Sequence, residues 1–120
     1  MRILSIIAVL LVAALHFGFL ALEMFLWEQP AGLRVFDMTA DEAARTAVLA
    51  ANQGLYNGFL GAGLLWGLLS RKRDVVVFFL LCVIVAGVFG AATASSTILY
   101  VQAAPAVLAL VLVFLARKSS

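Results

Sequence analysis

Four long apolar segments dominate this chain of 120 residues. A helix needs about 20 mostly apolar residues to cross the hydrocarbon core of a bilayer. The segments that reach this length cover residues 3–27, 47–69, 75–94 and 98–116. Charged residues make up only 12% of the chain, about half of their share in a soluble domain. The sequence therefore predicts an integral membrane protein with four spanning helices.

The connections between these segments predict how the helices are arranged. Residues 70–74 and 95–97 form short links, and short links make neighbouring helices antiparallel. We therefore expect one all-α domain over residues 1–120, an up-down-up-down four-helix bundle in the membrane.

The long connection, residues 28–46, carries a helix start signal. Thr39 followed by Glu42 is typical of a capping box, in which each residue bonds to the backbone of the other. The second helix is therefore expected to begin near residue 40, as a short extension within the outer loop.

The basic residues predict the orientation. The first loop holds Arg34 and Arg45, and the third loop holds no basic residue. The other six basic residues lie at the two chain ends and in the second loop: Arg2, Arg71, Lys72, Arg73, Arg117 and Lys118. Since basic residues stay on the cytoplasmic side, both termini are expected there. These clusters flank apolar segments, so they indicate contact with the lipid bilayer and not with nucleic acid.

Ionisable and amide side chains inside the spans are the candidate functional residues, because such groups are costly in hydrocarbon. His16 and Glu23 are seven residues apart in the first span, so they share a helix face. The other polar residues are Asn52, Gln53, Tyr56 and Asn57 in the second span, Thr93 in the third, and Tyr100 and Gln102 in the fourth. The predicted topology puts all of them in the middle or outer half of the membrane. This common depth favours one shared pocket or network, open toward the outside or to the outer leaflet.

The residue types suggest roles in that pocket. Glu23 would act as acid, base or counter-ion, and His16 would relay protons. The side chains expected to contact a ligand are Asn52, Gln53, Tyr56, Asn57, Thr93 and Gln102. The structural alternative is that Glu23 is simply hydrogen-bonded to Asn52, Gln53 or Tyr56.

Metal binding is not expected, because the chain has one histidine and one cysteine, Cys82. No nucleotide or phosphate-binding fingerprint is present in the sequence, and no particular cofactor is indicated.

Several strings resemble a known family. They are His16-Phe17, Glu23-Met24-Phe25-Leu26-Trp27, Asn52-Gln53-Gly54-Leu55-Tyr56-Asn57-Gly58-Phe59 and Cys82-Val83-Ile84-Val85-Ala86-Gly87. They look like the bacterial membrane proteins grouped as domain of unknown function 1304 (DUF1304), and the resemblance covers essentially the whole chain. It implies a bacterial inner-membrane location and a four-helix fold, and it implies no activity.

Three functions stay open from the sequence. The first is a membrane-embedded site that binds or acts on a small or lipophilic ligand through proton chemistry at Glu23 and His16. The second is proton-coupled transport, since small multidrug-resistance transporters also carry a glutamate in the first of four spans. The third is a non-catalytic assembly partner. One four-helix bundle has little room for a large pocket, which favours a homodimer.

Overall fold

The computed structural model describes residues 2–93, 97 and 99–118. This part of the chain is helical and contains no strand, which confirms the predicted all-α class. It consists of five α-helices and one π-helical turn: α1 (Ile3–Met24), α2 (Pro30–Val35), α3 (Ala40–Leu69), α4 (Arg73–Thr93), the π-helical turn Leu99–Ala103, and α5 (Ala104–Lys118).

The first helix ends earlier than the apolar pattern predicts, at Met24 instead of residue 27. The N–H groups of Phe25 and Leu26 both donate to the Ala21 carbonyl, at 3.0 and 3.1 Å, so the chain turns away from the helix axis here. A short helix that was not predicted, α2, then begins at Pro30. Proline suits the first helical position because its missing N–H is not needed there.

Local hydrogen bonds set both ends of α3. At its start the Thr39 N–H donates to Glu42 Oε1 at 3.0 Å, and the Glu42 N–H donates to Thr39 Oγ1 at 3.1 Å. Both bonds of the predicted capping box are therefore present. At its end Arg71 has a left-handed φ of 56°, and the Lys72 N–H donates to the Gly67 carbonyl at 2.9 Å. This pattern closes the helix and allows α4 to begin at Arg73.

The last apolar segment contains a π-helical turn followed by α5. Pro105 lies in the first turn of α5 and cannot donate to the carbonyl four residues earlier, because it has no N–H. The wider turn at Leu99–Ala103 precedes this proline. The predicted boundaries at residues 94 and 98 lie outside the described residues.

The described residues form two compact units. The first, here called the polar unit, is His16–Phe59. The second, here called the apolar unit, combines residues 2–15 with residues 60–118. The helices α1 and α3 each contribute one part to the polar unit and one part to the apolar unit.

The apolar unit contains a buried cluster of hydrocarbon side chains. Gly67 lets Val76 approach, and Gly87 lets Ala103 approach, because a Cβ on either glycine would lie within 2.7 Å of the neighbouring residue. The buried core residues are Val9, Val12, Ala13, Leu64, Val76, Leu80, Val83, Ala106, Ala109 and Val113. Small residues between large ones let the helices pack closely.

Two helices of the described chain, α1 and α4, are long and apolar enough to cross a membrane, judged by length and composition. The apolar stretch Tyr100–Ala116 is shorter. α3 is the longest helix, but three amide side chains, Asn52, Gln53 and Asn57, lower its hydropathy.

Candidate functional site

The candidate site is a hydrogen-bonded pair of side chains, Glu23 and Asn57, in the polar unit. Glu23 lies in the last turn of α1, and Asn57 lies near the middle of α3. The Asn57 Nδ2 group donates to Glu23 Oε1. Asn57 is only 6% exposed, and Glu23 is half-buried. An acid from one apolar helix is therefore held by an amide from another.

Two glycines explain why this asparagine reaches the acid. A Cβ on Gly54 would lie 2.7 Å from Met24 Cγ and 3.0 Å from Glu23 Cβ. A Cβ on Gly58 would lie 2.6 Å from Leu20 Cδ1. Glycines four residues apart allow two helix backbones to approach closely. The face of α3 that carries Gly54, Asn57 and Gly58 is consequently the face that meets α1 in this unit.

The charge of the Glu23 carboxyl is not balanced within the described residues. None of the basic side chains described lies within ion-pair distance of Glu23, and the ion pair found in this unit joins Arg45 Nε to Asp41 Oδ2 at 3.2 Å. Both members of that pair are exposed. Within the described residues, the hydrogen-bond partner of the Glu23 carboxyl is thus a neutral amide.

His16 lies two turns before Glu23 on the same face of α1. It is 1% exposed, and its ring meets the Phe19 ring edge-on with 5.3 Å between centroids. The structure therefore buries this imidazole at the beginning of the polar unit.

The other polar side chains predicted in the second span are not the hydrogen-bond partners of Glu23. Asn52, Gln53 and Tyr56 are exposed, and the Tyr56 ring lies 5.9 Å from the Phe59 ring. Because each helical residue is rotated by about 100° from the last, Asn52 lies well round the helix from Asn57, and Tyr56 lies about a quarter of a turn from it. The structural alternative named Asn52, Gln53 or Tyr56 as the partner of Glu23, and the partner is instead Asn57.

The two remaining predicted ligand contacts belong to the apolar unit. Thr93 is exposed, and its Oγ1 donates to the Phe89 carbonyl at 2.8 Å, one turn earlier in α4. Gln102 is half-buried in the π-helical turn. Tyr100, in the same turn, is exposed.

Sequence reasoning missed a second polar contact, which closes the loop between α1 and α3. The Trp27 Nε1 group donates to Thr46 Oγ1 at 3.1 Å, and the Trp27 ring lies 4.8 Å from the Phe36 ring. Gly32 of α2 packs directly against the Leu26 and Trp27 backbone. The signal available in the sequence was Pro30, which marks the start of α2.

The electrostatics of this loop are local. The Thr39 backbone N–H, followed by the Thr39 hydroxyl, holds the pKa of the Glu42 carboxyl below its usual value. Both hydrogen bonds favour the charged carboxylate. Among the described residues, no three His, Cys, Asp or Glu side chains are grouped closely enough to hold a metal ion.

Comparison with known proteins places the chain in a family. The model of a family described as "Protein of unknown function (DUF1304)" matches residues 10–114. The chain belongs to this family, as its sequence strings predict. It is also similar to the "Uncharacterized protein YpaA" of Lactococcus lactis subsp. lactis (strain IL1403), with 36% identity over 115 residues that cover 92% of this chain and 97% of that protein. No solved structure matches the chain.

Proposed function

We propose that this chain is an integral protein of the bacterial inner membrane with four spans and both termini in the cytoplasm. Helices α1 and α4 support this proposal, since only 28% and 22% of their most apolar stretches are buried. The core helix of a soluble protein would be mostly buried. The basic residues support the orientation, because six of the eight would then lie on the cytoplasmic side.

We infer that Glu23 and Asn57 form a binding site for a small or lipophilic organic cation, which exchanges with a proton. The observation that carries this proposal is the Glu23 carboxyl, bonded to the Asn57 amide and lacking a basic partner among the described residues. A carboxylate that is removed from bulk water needs a positive partner or a proton. Since both would bind the same oxygens, cation and proton exclude each other.

The neighbouring residues have distinct roles in this proposal. Asn57 fixes the carboxylate through Oε1 and leaves Oε2 for the ligand or the proton. His16, two turns deeper along α1, is the proposed proton relay, because imidazole titrates near neutral pH. Of the other predicted contacts, Gln53 and Tyr56 are exposed side chains of the same unit and would meet a ligand only on its way to the carboxylate.

The experiment compares cation binding by three forms of the full-length protein in detergent: wild type, Glu23→Gln and the control Glu28→Gln. Glutamine keeps the shape and the hydrogen-bond acceptor for Asn57 but cannot carry a charge. With tetraphenylphosphonium as probe, we expect Glu23→Gln to bind at least about tenfold more weakly, because a close charge pair is lost. Glu28 is exposed beyond the end of α1, so its variant should bind like wild type.

Mass spectrometry of small molecules retained by the purified protein gives an independent readout. A positively charged molecule that is present with wild type and absent with Glu23→Gln is the expected result. Equal retention by both forms, together with equal phosphonium binding, would show that Glu23 is not the binding group.

Proton-coupled transport is an extension of the same exchange chemistry. A carboxylate that binds either a proton or a cation can couple their movements if it is reached from both sides of the membrane. Liposomes with a pH gradient test this: transport predicts phosphonium uptake that requires Glu23, whereas a binding protein shows Glu23-dependent binding without uptake.

A structural role is the second candidate, and the close packing at Gly54 and Gly58 favours it. In that case the Asn57–Glu23 hydrogen bond only joins α1 to α3. Glu23→Gln preserves this bond and would then leave both stability and retained molecules unchanged, while Glu23→Leu would lower stability.

A further inference from the structure

Arg73, the first residue of α4, places a half-buried guanidinium in the apolar unit. Its Cζ atom lies 5.1 Å from the centre of the Phe114 ring of α5. Two of its nitrogens, Nε and Nη2, are buried and make no hydrogen bond within the described part of the chain. These two nitrogens form the edge by which an arginine binds a carboxylate or a phosphate through two parallel hydrogen bonds.

The neighbouring acid, Asp74, does not serve this edge. Asp74 is exposed, and its Oδ1 accepts the Val75 N–H at 3.0 Å. Asp74 is the one acid in the sequence of the apolar unit, which has six basic residues: Arg2, Arg71, Lys72, Arg73, Arg117 and Lys118. Because the basic residues of this unit exceed its acids so clearly, an anion from outside the chain is the partner that suits Arg73.

The position of Arg73 strengthens this need for an anion. The start of a helix is the positive end of its dipole, where a cation is unfavourable and an anion is favourable. A charged donor that is buried without an acceptor also costs free energy. Arg73 is only partly buried as a residue, so rotation of its long side chain can bring Nε and Nη2 to the surface. An anion bound there would satisfy both nitrogens.

The surroundings of Arg73 favour a phosphate as this anion. The apolar stretch of α4 begins directly after Asp74, so in the proposed membrane orientation Arg73 lies at the depth of the phospholipid headgroups. Exposed Arg71 and Lys72 lie beside it in the chain, and basic segments next to a membrane span attract anionic lipids. Phosphate oxygens also match the two parallel donors of an arginine.

We propose that Arg73 binds a phosphate group where α4 begins beside the last turns of α5, and that an anionic phospholipid or free phosphate supplies this group. Arg73 makes the two directed hydrogen bonds, and Arg71 and Lys72 add positive charge nearby. The lipid as source rests on the proposed membrane location, whereas the contact between arginine and phosphate does not.

Native mass spectrometry of the full-length protein in detergent tests the site by titration with phosphatidylglycerol. The forms compared are wild type, Arg73→Gln and the matched control Arg71→Gln, which removes a positive charge two residues away. We expect Arg73→Gln to weaken the tightest lipid-binding step at least about tenfold, the usual worth of hydrogen bonds to a charged group. Arg71 is exposed, so its variant should lose much less.

A conservative pair of variants separates the hydrogen bonds from the charge and keeps the test valid if Arg73→Gln does not fold. Lysine keeps the charge but lacks the planar edge with two donors. Arg73→Lys should therefore bind phosphatidylglycerol more weakly than wild type, whereas Arg71→Lys should bind it equally well. Circular dichroism of each variant shows that the helices are retained.

Inorganic phosphate as competitor distinguishes the two sources. Displacement of the tightest lipid by millimolar phosphate would show that free phosphate occupies the site as well, and lipid binding that resists phosphate would assign the site to a headgroup. Inorganic phosphate that binds through Arg73 without any lipid binding would leave the phosphate site standing and remove the lipid as its source.

Glu23→Gln separates this site from the cation site, because it should bind phosphatidylglycerol like wild type even where phosphonium binding is lost. Equal lipid and phosphate binding by wild type, Arg73→Gln and Arg73→Lys would overturn the proposal. An equal loss at residues 71 and 73 would also overturn it, since general attraction between charges would then explain the binding.

Discussion

The polar unit and the apolar unit solve the packing of helices in different ways. In the apolar unit the buried core cluster consists of hydrocarbon side chains, and Ser5, Ser70 and Thr93 donate to carbonyls near them in sequence. A cation–π contact of Arg73 with the Phe114 ring, 5.1 Å from the centroid, is the long-range polar contact described there. In the polar unit side chains bond across long stretches of sequence, as Asn57 does with Glu23 and Trp27 with Thr46. The helices of the apolar unit are held together mainly by hydrocarbon packing. Those of the polar unit are held together partly by hydrogen bonds between side chains.

Under the proposed function, this difference places cation binding in the polar unit. Hydrocarbon packing tolerates apolar substitutions that conserve volume, whereas a buried acid and amide cost free energy unless they are paired. The proposed binding site is built on these two groups, an acid and an amide inside an otherwise apolar helix pair. Under the proposed function, changes in the hydrocarbon core of the apolar unit should affect stability alone, whereas changes at Glu23 should also affect cation binding.

The largest effect is expected for Leu80→Ala in the apolar unit. Leu80 is 0% exposed, and its loss leaves a cavity that costs about 2–5 kcal/mol of unfolding free energy. Unfolding in detergent by denaturant, followed by circular dichroism, measures it. The neighbour Leu81 is 46% exposed, so Leu81→Ala serves as the control and should cost far less. Similar losses for both would mean that this core is not closely packed.

Gly32→Ala is expected to have the next largest effect, and it acts in the polar unit. A Cβ here would meet the Leu26 carbonyl and lie 2.6 Å from the Trp27 carbonyl. Because backbone cannot move aside cheaply, we expect a loss of about 1–3 kcal/mol. The control is Gly18→Ala, since a Cβ there has nothing within 4 Å; alanine should stabilise that helix by about 0.5–1 kcal/mol. Thermal unfolding is followed by tryptophan fluorescence in a Trp66→Phe background, which leaves Trp27 as the reporter. Equal unfolding temperatures for the two variants would contradict this prediction.

A smaller effect is expected when the Glu23–Asn57 contact is isolated by a double-mutant cycle. Glu23→Ala and Asn57→Ala should be coupled by about 0.5–1.5 kcal/mol, the range for hydrogen bonds between helices in membranes. Asn52→Ala with Glu23→Ala is the control cycle and should be additive, because Asn52 lies on the other side of α3. Additivity in both cycles would mean that the Glu23–Asn57 contact does not contribute to holding α1 and α3 together.

The sequence predicts the apolar unit better than the polar unit, and the reason is physical. Hydropathy and capping residues are local, so the apolar helices and the Thr39–Glu42 start of α3 can be identified from the chain alone. The end of α1 cannot, because Phe25, Leu26 and Trp27 continue the apolar pattern. Trp27 instead lies in the loop after α1, where it contacts Phe36 and Thr46, which come later in the chain.

The contacts of the site residues also depend on packing that a local sequence pattern does not show. Glu23 stands out as an acid in an apolar span, but its partner depends on which face of α3 meets α1. The pair Gly54 and Gly58 decides this, since close approach is possible only on their side. Asn57 lies beside these glycines, so their position in the sequence was the available signal for the partner of Glu23.

The smallest effect concerns the start of α3 and its response to pH. The pKa of Glu42 is lowered, so the capping box is fully formed at neutral pH and weakens as the pH falls through the lowered pKa. We expect the Thr39 amide proton resonance to shift with this titration in wild type, because that N–H donates to Glu42 Oε1. In Glu42→Gln, which keeps an acceptor but cannot titrate, the same resonance should stay constant over this pH range. A shift that persists in the variant would mean that another acid, such as Asp41, causes the titration. The Thr39–Glu42 hydrogen bond would then not be the contact that responds to pH at the start of α3.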